Sequence, residues 1–202
     1  MARTDAARED GLYTIGHSTR TLEELVALLR ASDIRVLADI RTVPRSRRNP
    51  QFNMDTLARE LPRSGIRYEH LAKLGGLRRA LKDSQNTGWR NASFRGYADY
   101  MQTEDFAAGL REIEALRAHG SVALMCAEAV PWRCHRSLVA DALSARGIGV
   151  RHIVGAAAPR PHRLTSFARI DGERVIYPGV PDTGEPQLAM ELERTGPKRT
   201  RT

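Results

Sequence analysis

Long apolar runs are absent from this chain of 202 residues. None approaches the roughly 20 residues that a membrane-spanning helix needs. The start of the chain, residues 1–10, also lacks the apolar stretch of a secretory signal peptide. We therefore expect a cytoplasmic protein that has no membrane partner.

Cysteine is scarce as well, since Cys126 and Cys134 are the only two. Two thiols in one short segment do not make a disulfide framework, so packing or reactivity must explain them. A hydrophobic content of 41% supplies an ordinary core without such staples. The length suits one domain, and we predict a disordered arm over 1–10, a single α/β domain over 11–180 and a flexible basic tail over 181–202.

Lysine is also rare, because Lys73, Lys82 and Lys198 are the only lysines. The 32 basic residues, nearly all arginine, outnumber 24 acidic ones and give a formal net charge of +8. Guanidinium groups suit bidentate phosphate contacts, which predicts nucleic acid or a phosphorylated small molecule as the partner. A GC-rich genome would give the same arginine excess without a functional reason.

Strand and helix patterns alternate along most of the chain. Thr21 begins a capping-box pattern, and Asp171-Gly172 predicts a closing hairpin. The other predicted elements are strands at 12–15, 34–40, 122–125 and 150–154 and helices at 21–29, 53–61 and 103–118. This order indicates a Rossmann-like three-layer sandwich, in which helices flank a mainly parallel sheet, with a C-terminal hairpin added.

Reactive and charged residues follow several of the predicted strands. His17 comes after the first strand, Asp39 and Arg41 lie at the end of the second, and the segment 126–136 joins a later strand to an amphipathic helix. Parallel strands place these ends at one edge of the sheet, where α/β proteins commonly bind ligands. We expect the functional site at this edge.

Five motifs follow one another between residues 12 and 178. They are Tyr13-Thr14-Ile15-Gly16-His17-Ser18-Thr19-Arg20, Asp39-Ile40-Arg41 with Pro44 and Ser46, Leu74-Gly75-Gly76, Tyr97-Ala98-Asp99-Tyr100-Met101, and Cys126-Ala127-Glu128 with Cys134-His135-Arg136. In these motifs the chain resembles the domain of unknown function 488 family. The resemblance implies a compact α/β domain, and the family carries no settled activity.

Cys126 follows a predicted strand and has two interpretations. Buried thiols often act as small hydrophobic side chains. A helix N-terminus and Arg133 or Arg136 would instead lower the thiol pKa and create a nucleophile. The order of Asp39-Ile40-Arg41 and a Cys-to-Arg loop resembles rhodanese sulfurtransferases and cysteine phosphatases, but Arg133 comes one residue late and Pro131-Trp132 replaces small residues.

Glu128 and Asp39 are the candidate acid–base residues. Burial would raise the pKa of either carboxyl group, and a nearby arginine would lower it. If both face one cleft with His17, they would activate water at a glycosidic or phosphate bond. The alternative is that Glu128 pairs with Arg41 or Arg136 and only fixes the loop.

The remaining candidates would bind phosphate or substrate. An arginine-rich segment over 41–52 would clamp phosphates while Phe52 stacks a base, unless Phe52 belongs to the core. The predicted binding set is Ser18, Arg20, Arg41, Ser46, Arg47, Phe52, Gly75, Gly76, Cys134, His135 and Arg136. No metal or cofactor is predicted, because Cys126 and Cys134 lie eight residues apart without a second close pair.

These residues favour a nucleic-acid- or nucleotide-directed enzyme of the hydrolase type. Its arginines would hold phosphate, while Glu128 or Asp39 handles a proton. A non-enzymatic nucleic-acid-binding module would use the same arginines for affinity alone. The third hypothesis is a rhodanese-like sulfur or phosphate transferase that acts through Cys126.

Overall fold

The computed structural model describes residues 11–179, and six strands in this range form one sheet. All neighbouring strands are parallel except the last pair, in which β6 runs antiparallel to β5. The spatial order is β3-β2-β4-β1-β5-β6, with β1 Leu12–Gly16, β2 Val36–Asp39, β3 Arg67–His70, β4 Val122–Cys126, β5 Val150–Ile153 and β6 Arg160–Pro161. The prediction of a mainly parallel sheet is confirmed.

Helices cover both faces of this sheet. They are α1 Leu22–Ala31, α2 Met54–Glu60, α3 Ala92–Tyr100, α4 Glu104–Arg117 and α5 Arg136–Ala145. Side chains of β4 alternate between the faces, as a strand requires. Met125 packs with α1 and α2, whereas Leu124 and Cys126 pack with α3, α4 and α5. The three-layer α/β architecture is therefore confirmed.

A small antiparallel hairpin completes the described part of the chain. It consists of β7 Arg169–Asp171 and β8 Arg174–Ile176, and Gly172 takes a φ of +59° in the turn between them. Val175 and Tyr177 are buried and join the core cluster on the side of α5. The hairpin predicted at Asp171-Gly172 is confirmed. The predicted arm (1–10) and tail (181–202) lie outside the described residues.

The chain leaves β1 and β4 in opposite directions along the sheet. From β1 the chain passes through α1 to β2 on one side, and from β4 it passes through α5 to β5 on the other. The two strands are neighbours, with Gly16 opposite Cys126 at their carboxyl ends. Ligands of open α/β sheets bind at such a switch point. No helix in the described range is long and apolar enough to span a membrane.

Candidate functional site

The switch point between β1 and β4 is closed by backbone contacts. The N–H of His17 donates to the carbonyl of Cys126 at 2.9 Å, and that of Ser18 donates to the carbonyl of Ala127 at 2.9 Å. A Cβ at Gly16 would lie only 1.9 Å from the carbonyl oxygen of Glu128, so this position requires glycine. The line between the ends of β1 and β4, which we call the seam, is therefore closed, and openings to solvent lie on either side of it.

A buried ion pair lies on the β2 side of the seam. Arg41 Nε donates to Asp39 Oδ1 at 2.8 Å, and Nη2 donates to Oδ2 of the same carboxylate. The Arg41 N–H and the Tyr68 hydroxyl also donate to Asp39, at 3.1 and 2.8 Å. We call Asp39, Arg41, Tyr68 and His17 the carboxylate cluster. Asp39 is fully buried and accepts four hydrogen bonds, so its geometry favours a structural role.

His17 is buried in the same cluster and is held as a neutral ring. Its Nδ1–H donates to the Ser18 carbonyl at 2.8 Å, and its Nε2 accepts from Arg41 Nη1 at 3.2 Å. The ring stacks on buried Phe52, with centroids 4.3 Å apart. Burial is the main cause that lowers the pKa of His17. Phe52 therefore packs in the interior, where its carbonyl also accepts from Arg41 at 2.7 Å.

A second group, the thiol cluster of Cys126, Cys134 and His135, lies at the end of β4 and the start of α5, beside the ion pair. His135 Nε2–H donates to the Ile40 carbonyl at 3.1 Å, so Nδ1 is the nitrogen that faces the two sulfur atoms. Nδ1 lies 4.0 Å from Cys126 Sγ and 3.7 Å from Cys134 Sγ. The three ligand atoms lie within 4.8 Å of one another. Two sulfur atoms thus share one imidazole nitrogen.

The electrostatics of the thiol cluster favour a thiolate on Cys126. A hydrogen bond from Cys134 is the largest cause that lowers the pKa of Cys126, and His135 and the Ala127 backbone add to it against the effect of burial. The same bond raises the pKa of Cys134. Arg136 is 1% exposed beside the pair, where burial lowers the pKa of its guanidinium group and negative charge on Cys134 or Cys126 opposes that shift.

A small pocket of about 250 Å³ leads from solvent to the thiol cluster. Cys126 and His135 line it together with Arg41, Thr42, Val43, Gly76 and Leu77. Four of the five guanidinium N–H groups of Arg41 are engaged by Asp39, Phe52 and His17, which leaves one Nη1–H among the described contacts. The lining of one pocket therefore includes both a thiol and a fixed cation.

The family model described as "Domain of unknown function DUF488" matches residues 21–143, more than half of the chain. The chain belongs to this family. The matched range includes all three members of the thiol cluster and Arg41, whereas His17, Ser18 and Arg20 precede it. No curated protein and no solved structure matches the chain.

In this DUF488 domain, Glu128 and Arg136 form hydrogen bonds with backbone atoms of their own loop and do not reach the pocket. Arg136 donates to the carbonyl oxygens of Glu128 and, at 2.8 Å, of Ala129. The Glu128 carboxylate accepts from the Val130 N–H at 3.2 Å. Neither residue lines the pocket at Cys126. The structure therefore does not bring Glu128 together with Asp39 or His17 through any contact among the described residues.

The two predicted phosphate glycines are required by packing. A Cβ at Gly75 would lie 2.9 Å from Thr42 Cα, and one at Gly76 would lie 3.0 Å from His135 Nδ1. Gly76 therefore leaves room for the His135 ring, which a side chain at this position would displace. This is a role in the site that the sequence pattern alone did not indicate.

The other predicted binding residues lie outside the pocket. Arg20 donates to the Gly16 carbonyl and to the Val154 carbonyl, the latter at 2.7 Å. The Ser46 hydroxyl accepts from the Asn49 N–H at 3.0 Å and so shapes its own loop. Arg47 is exposed. Sequence reasoning missed Thr42, Val43 and Leu77, although the exposed apolar pair Val43 and Leu77 flanks Arg41 and Gly76 in sequence.

Cys126, Cys134 and His135 also have the donor types of a zinc ligand set. Three protein ligands and one open position are typical of catalytic zinc, and the hydrogen bond from His135 to Ile40 would orient the ring for a metal. These residues are the only such group of three in the described part of the chain. The same geometry equally suits a metal-free thiol pair.

Proposed function

We propose that this DUF488 protein is a thiol-dependent sulfur transferase in which Cys126 is the nucleophile. The observation that supports it best is that Cys126 lines an open pocket and that its Sγ shares an imidazole nitrogen with a second thiol. The carboxylates predicted as acid–base groups are either saturated or turned to their own loop.

The substrate would be a small anionic donor of sulfane sulfur, such as thiosulfate. The Cys126 thiolate attacks the outer sulfur, the sulfur–sulfur bond of the donor breaks, and sulfite leaves with the electron pair. Cys126 then carries a persulfide. Arg41 lines the pocket and would hold the anionic end of the donor, because a guanidinium is a strong donor to oxyanions.

Sulfur transfer fits the loop better than phosphoryl transfer does. A cysteine phosphatase requires backbone N–H groups aimed at the phosphate around the thiolate. Here the carbonyl oxygens of Glu128 and Ala129 turn inward to bind Arg136, and Arg133 is exposed. A sulfane sulfur carries less charge and needs no such cradle.

Cys134 would decide the fate of the persulfide. Its Sγ shares the acceptor His135 Nδ1 with Cys126 Sγ, so it is close enough to act on the same intermediate. When no acceptor is present, the Cys134 thiolate attacks the Cys126 sulfur, a Cys126–Cys134 disulfide forms and hydrosulfide leaves. His135 would take the proton of the Cys134 thiol and pass it to the leaving sulfur, which therefore departs as hydrosulfide.

Incubation of the reduced protein with thiosulfate tests this proposal. Wild type should release about one equivalent of hydrosulfide and form the internal disulfide, whereas Cys134→Ser should keep a Cys126 persulfide that mass spectrometry detects. Cys126→Ser should do neither. No hydrosulfide release from wild type together with no persulfide on Cys134→Ser would refute sulfur transfer, and zinc analysis of the same samples reveals whether a metal blocks the thiols.

Nucleotide-directed hydrolysis, the first of the sequence-based hypotheses, has less support from the geometry. Arg136, which was expected to hold phosphate, is buried and bonded to protein acceptors, and Arg41 keeps only one Nη1–H for a ligand. A nucleic-acid-binding module would rely on exposed arginines such as Arg47. Binding of single-stranded RNA that persists in Arg41→Gln but is lost in Arg47→Ala would favour that module.

A further inference from the structure

A second and larger cavity, of about 750 Å³, lies on the β5 side of the closed seam. The turn at Pro131–Arg133 and strand β6 contribute walls to it, and it shares no lining residue with the pocket at Cys126. Its volume falls within the range of small-molecule sites. None of the residues predicted from the sequence as catalytic or binding residues lines it.

Both tryptophans of the chain line this cavity. Trp89 is partly buried, against Phe94 and Phe167. Trp132 is 67% exposed, although burial of an indole ring is strongly favourable. Proline side chains at 131 and 161 add further apolar surface. The cavity therefore offers aromatic surface to a planar ligand.

A chain of buried hydrogen bonds forms one wall. The Thr14 hydroxyl lies 2.7 Å from His152 Nδ1, His152 Nε2 lies 3.0 Å from His162 Nδ1, and His162 Nε2 lies 2.8 Å from Asp141 Oδ1. Thr165 and Tyr177 hydroxyls donate to the other oxygen of Asp141, at 2.7 and 2.8 Å. All four ring nitrogens are used within the protein, so the imidazoles present a fixed, flat surface.

The charges around the cavity are positive. Arg160 and Arg163 line it and are exposed, whereas no described lining residue is a carboxylate. Asp141 lies behind His162 and is bonded to it. An exposed guanidinium pair beside aromatic surface suits a ligand that combines a planar ring with an anionic group.

We propose that this cavity is a binding site for a planar aromatic anion of mononucleotide size. The ring would stack on Trp132, and the anionic group would contact Arg160 and Arg163. The site is independent of the proposed sulfur transfer, because it rests on different residues. Its occupant would still contact the segment that carries Cys134, since Pro131, Trp132 and Ser137 line the cavity and the Ser137 hydroxyl donates to the Cys134 carbonyl at 2.9 Å.

Intrinsic fluorescence tests the proposal directly, because both tryptophans face the cavity. The wild-type protein is titrated with AMP, with adenosine as the ring alone and with ribose 5-phosphate as the anion alone. AMP should change the emission saturably, and each fragment should bind at least about tenfold more weakly. Adenosine binding as tight as AMP would refute the anionic half of the proposal, and an absence of saturable AMP binding would refute the whole.

Exposed residues supply variants that should fold. Arg160→Ala combined with Arg163→Ala should weaken AMP binding at least about tenfold, and Trp132→Ala should do the same by calorimetry. Arg169→Ala is the matched control, because Arg169 is an exposed arginine that does not line the cavity. Equal losses in Arg169→Ala and in the double variant would show a non-specific charge effect and overturn the site.

Discussion

The carboxylate cluster and the thiol cluster lie at the same edge of the sheet but differ in how fully their polar atoms are bonded. Asp39 accepts four hydrogen bonds and holds Arg41, which in turn holds His17. In the thiol cluster, two sulfur atoms share one imidazole nitrogen, and Cys126 and His135 open onto a pocket. The bonds of the charged cluster are nearly saturated, which favours a structural role, whereas the thiol cluster keeps the open contact that the proposed sulfur transfer needs.

The largest effect should come from Cys126→Ser. We expect the rate of sulfur release from thiosulfate to fall by about three orders of magnitude or more, because the oxygen nucleophile cannot replace a thiolate. The thermal midpoint should change little, since serine is nearly isosteric. A variant that keeps most of the wild-type rate would contradict the assignment of Cys126.

Asp39→Asn should act on stability. It leaves Arg41 buried without a counter-charge, and loss of one partner of a buried pair costs about 3–5 kcal/mol of the free energy of unfolding. Urea denaturation measures it. Glu60→Gln is the control. Its partners Arg59 and Arg63 are largely exposed, so the loss of these ion pairs should change the free energy of unfolding little. If both variants lost the same free energy of unfolding, the buried Asp39–Arg41 pair would be no more important than the exposed pairs of Glu60.

A fall in pH should reduce the free energy of unfolding through buried histidines, including His17 of the carboxylate cluster, before it protonates the thiol cluster. Burial lowers the pKa of His17, and it lowers that of His152 to about 4, so the folded protein binds fewer protons than the unfolded chain below the ordinary histidine pKa. Stability should therefore fall as the pH drops below about 6.5. His17→Gln should reduce this dependence in urea titrations at several pH values, and an unchanged slope would exclude His17 as a cause.

The smallest effect is expected from Glu128→Gln. The amide can still accept the hydrogen bond from the Val130 N–H, and the Glu128 carbonyl that binds Arg136 is unchanged. We expect the transfer rate to change by less than about threefold, whereas loss of a proton-transfer group typically costs about a hundredfold or more. A hundredfold fall in the transfer rate would show that Glu128 takes part in the reaction.

Local patterns were sufficient to predict most of the fold. Thr21 and Glu24 form the expected capping box, and the helix predicted over 103–118 is observed at Glu104–Arg117. Strand β3, Arg67–His70, was missed because its residues are polar and partly exposed at the sheet edge. Helix α3, Ala92–Tyr100, was missed since its apolar pattern is weak and its buried face includes Gly96 and Asp99.

The site could be predicted only in part, because the sequence indicates which residues reach the sheet edge but not how they pair. Cys126, His135 and Arg41 were predicted as site residues, and the structure brings them to one pocket. The saturation of Asp39 depends on Tyr68, which comes from the unpredicted strand β3. The histidine chain joins β1, β5 and α5 and has no local signature.

Site-resolved alkylation of the native protein tests the central contrast most directly. Iodoacetamide is added below one equivalent near pH 7, and peptide mass spectrometry quantifies the label on each cysteine. We predict rapid labelling of Cys126 at a rate that rises little toward pH 8.5, with Cys134 almost unlabelled. Slow labelling of Cys126 that rises steeply with pH, or labelling of Cys134 first, would contradict the account.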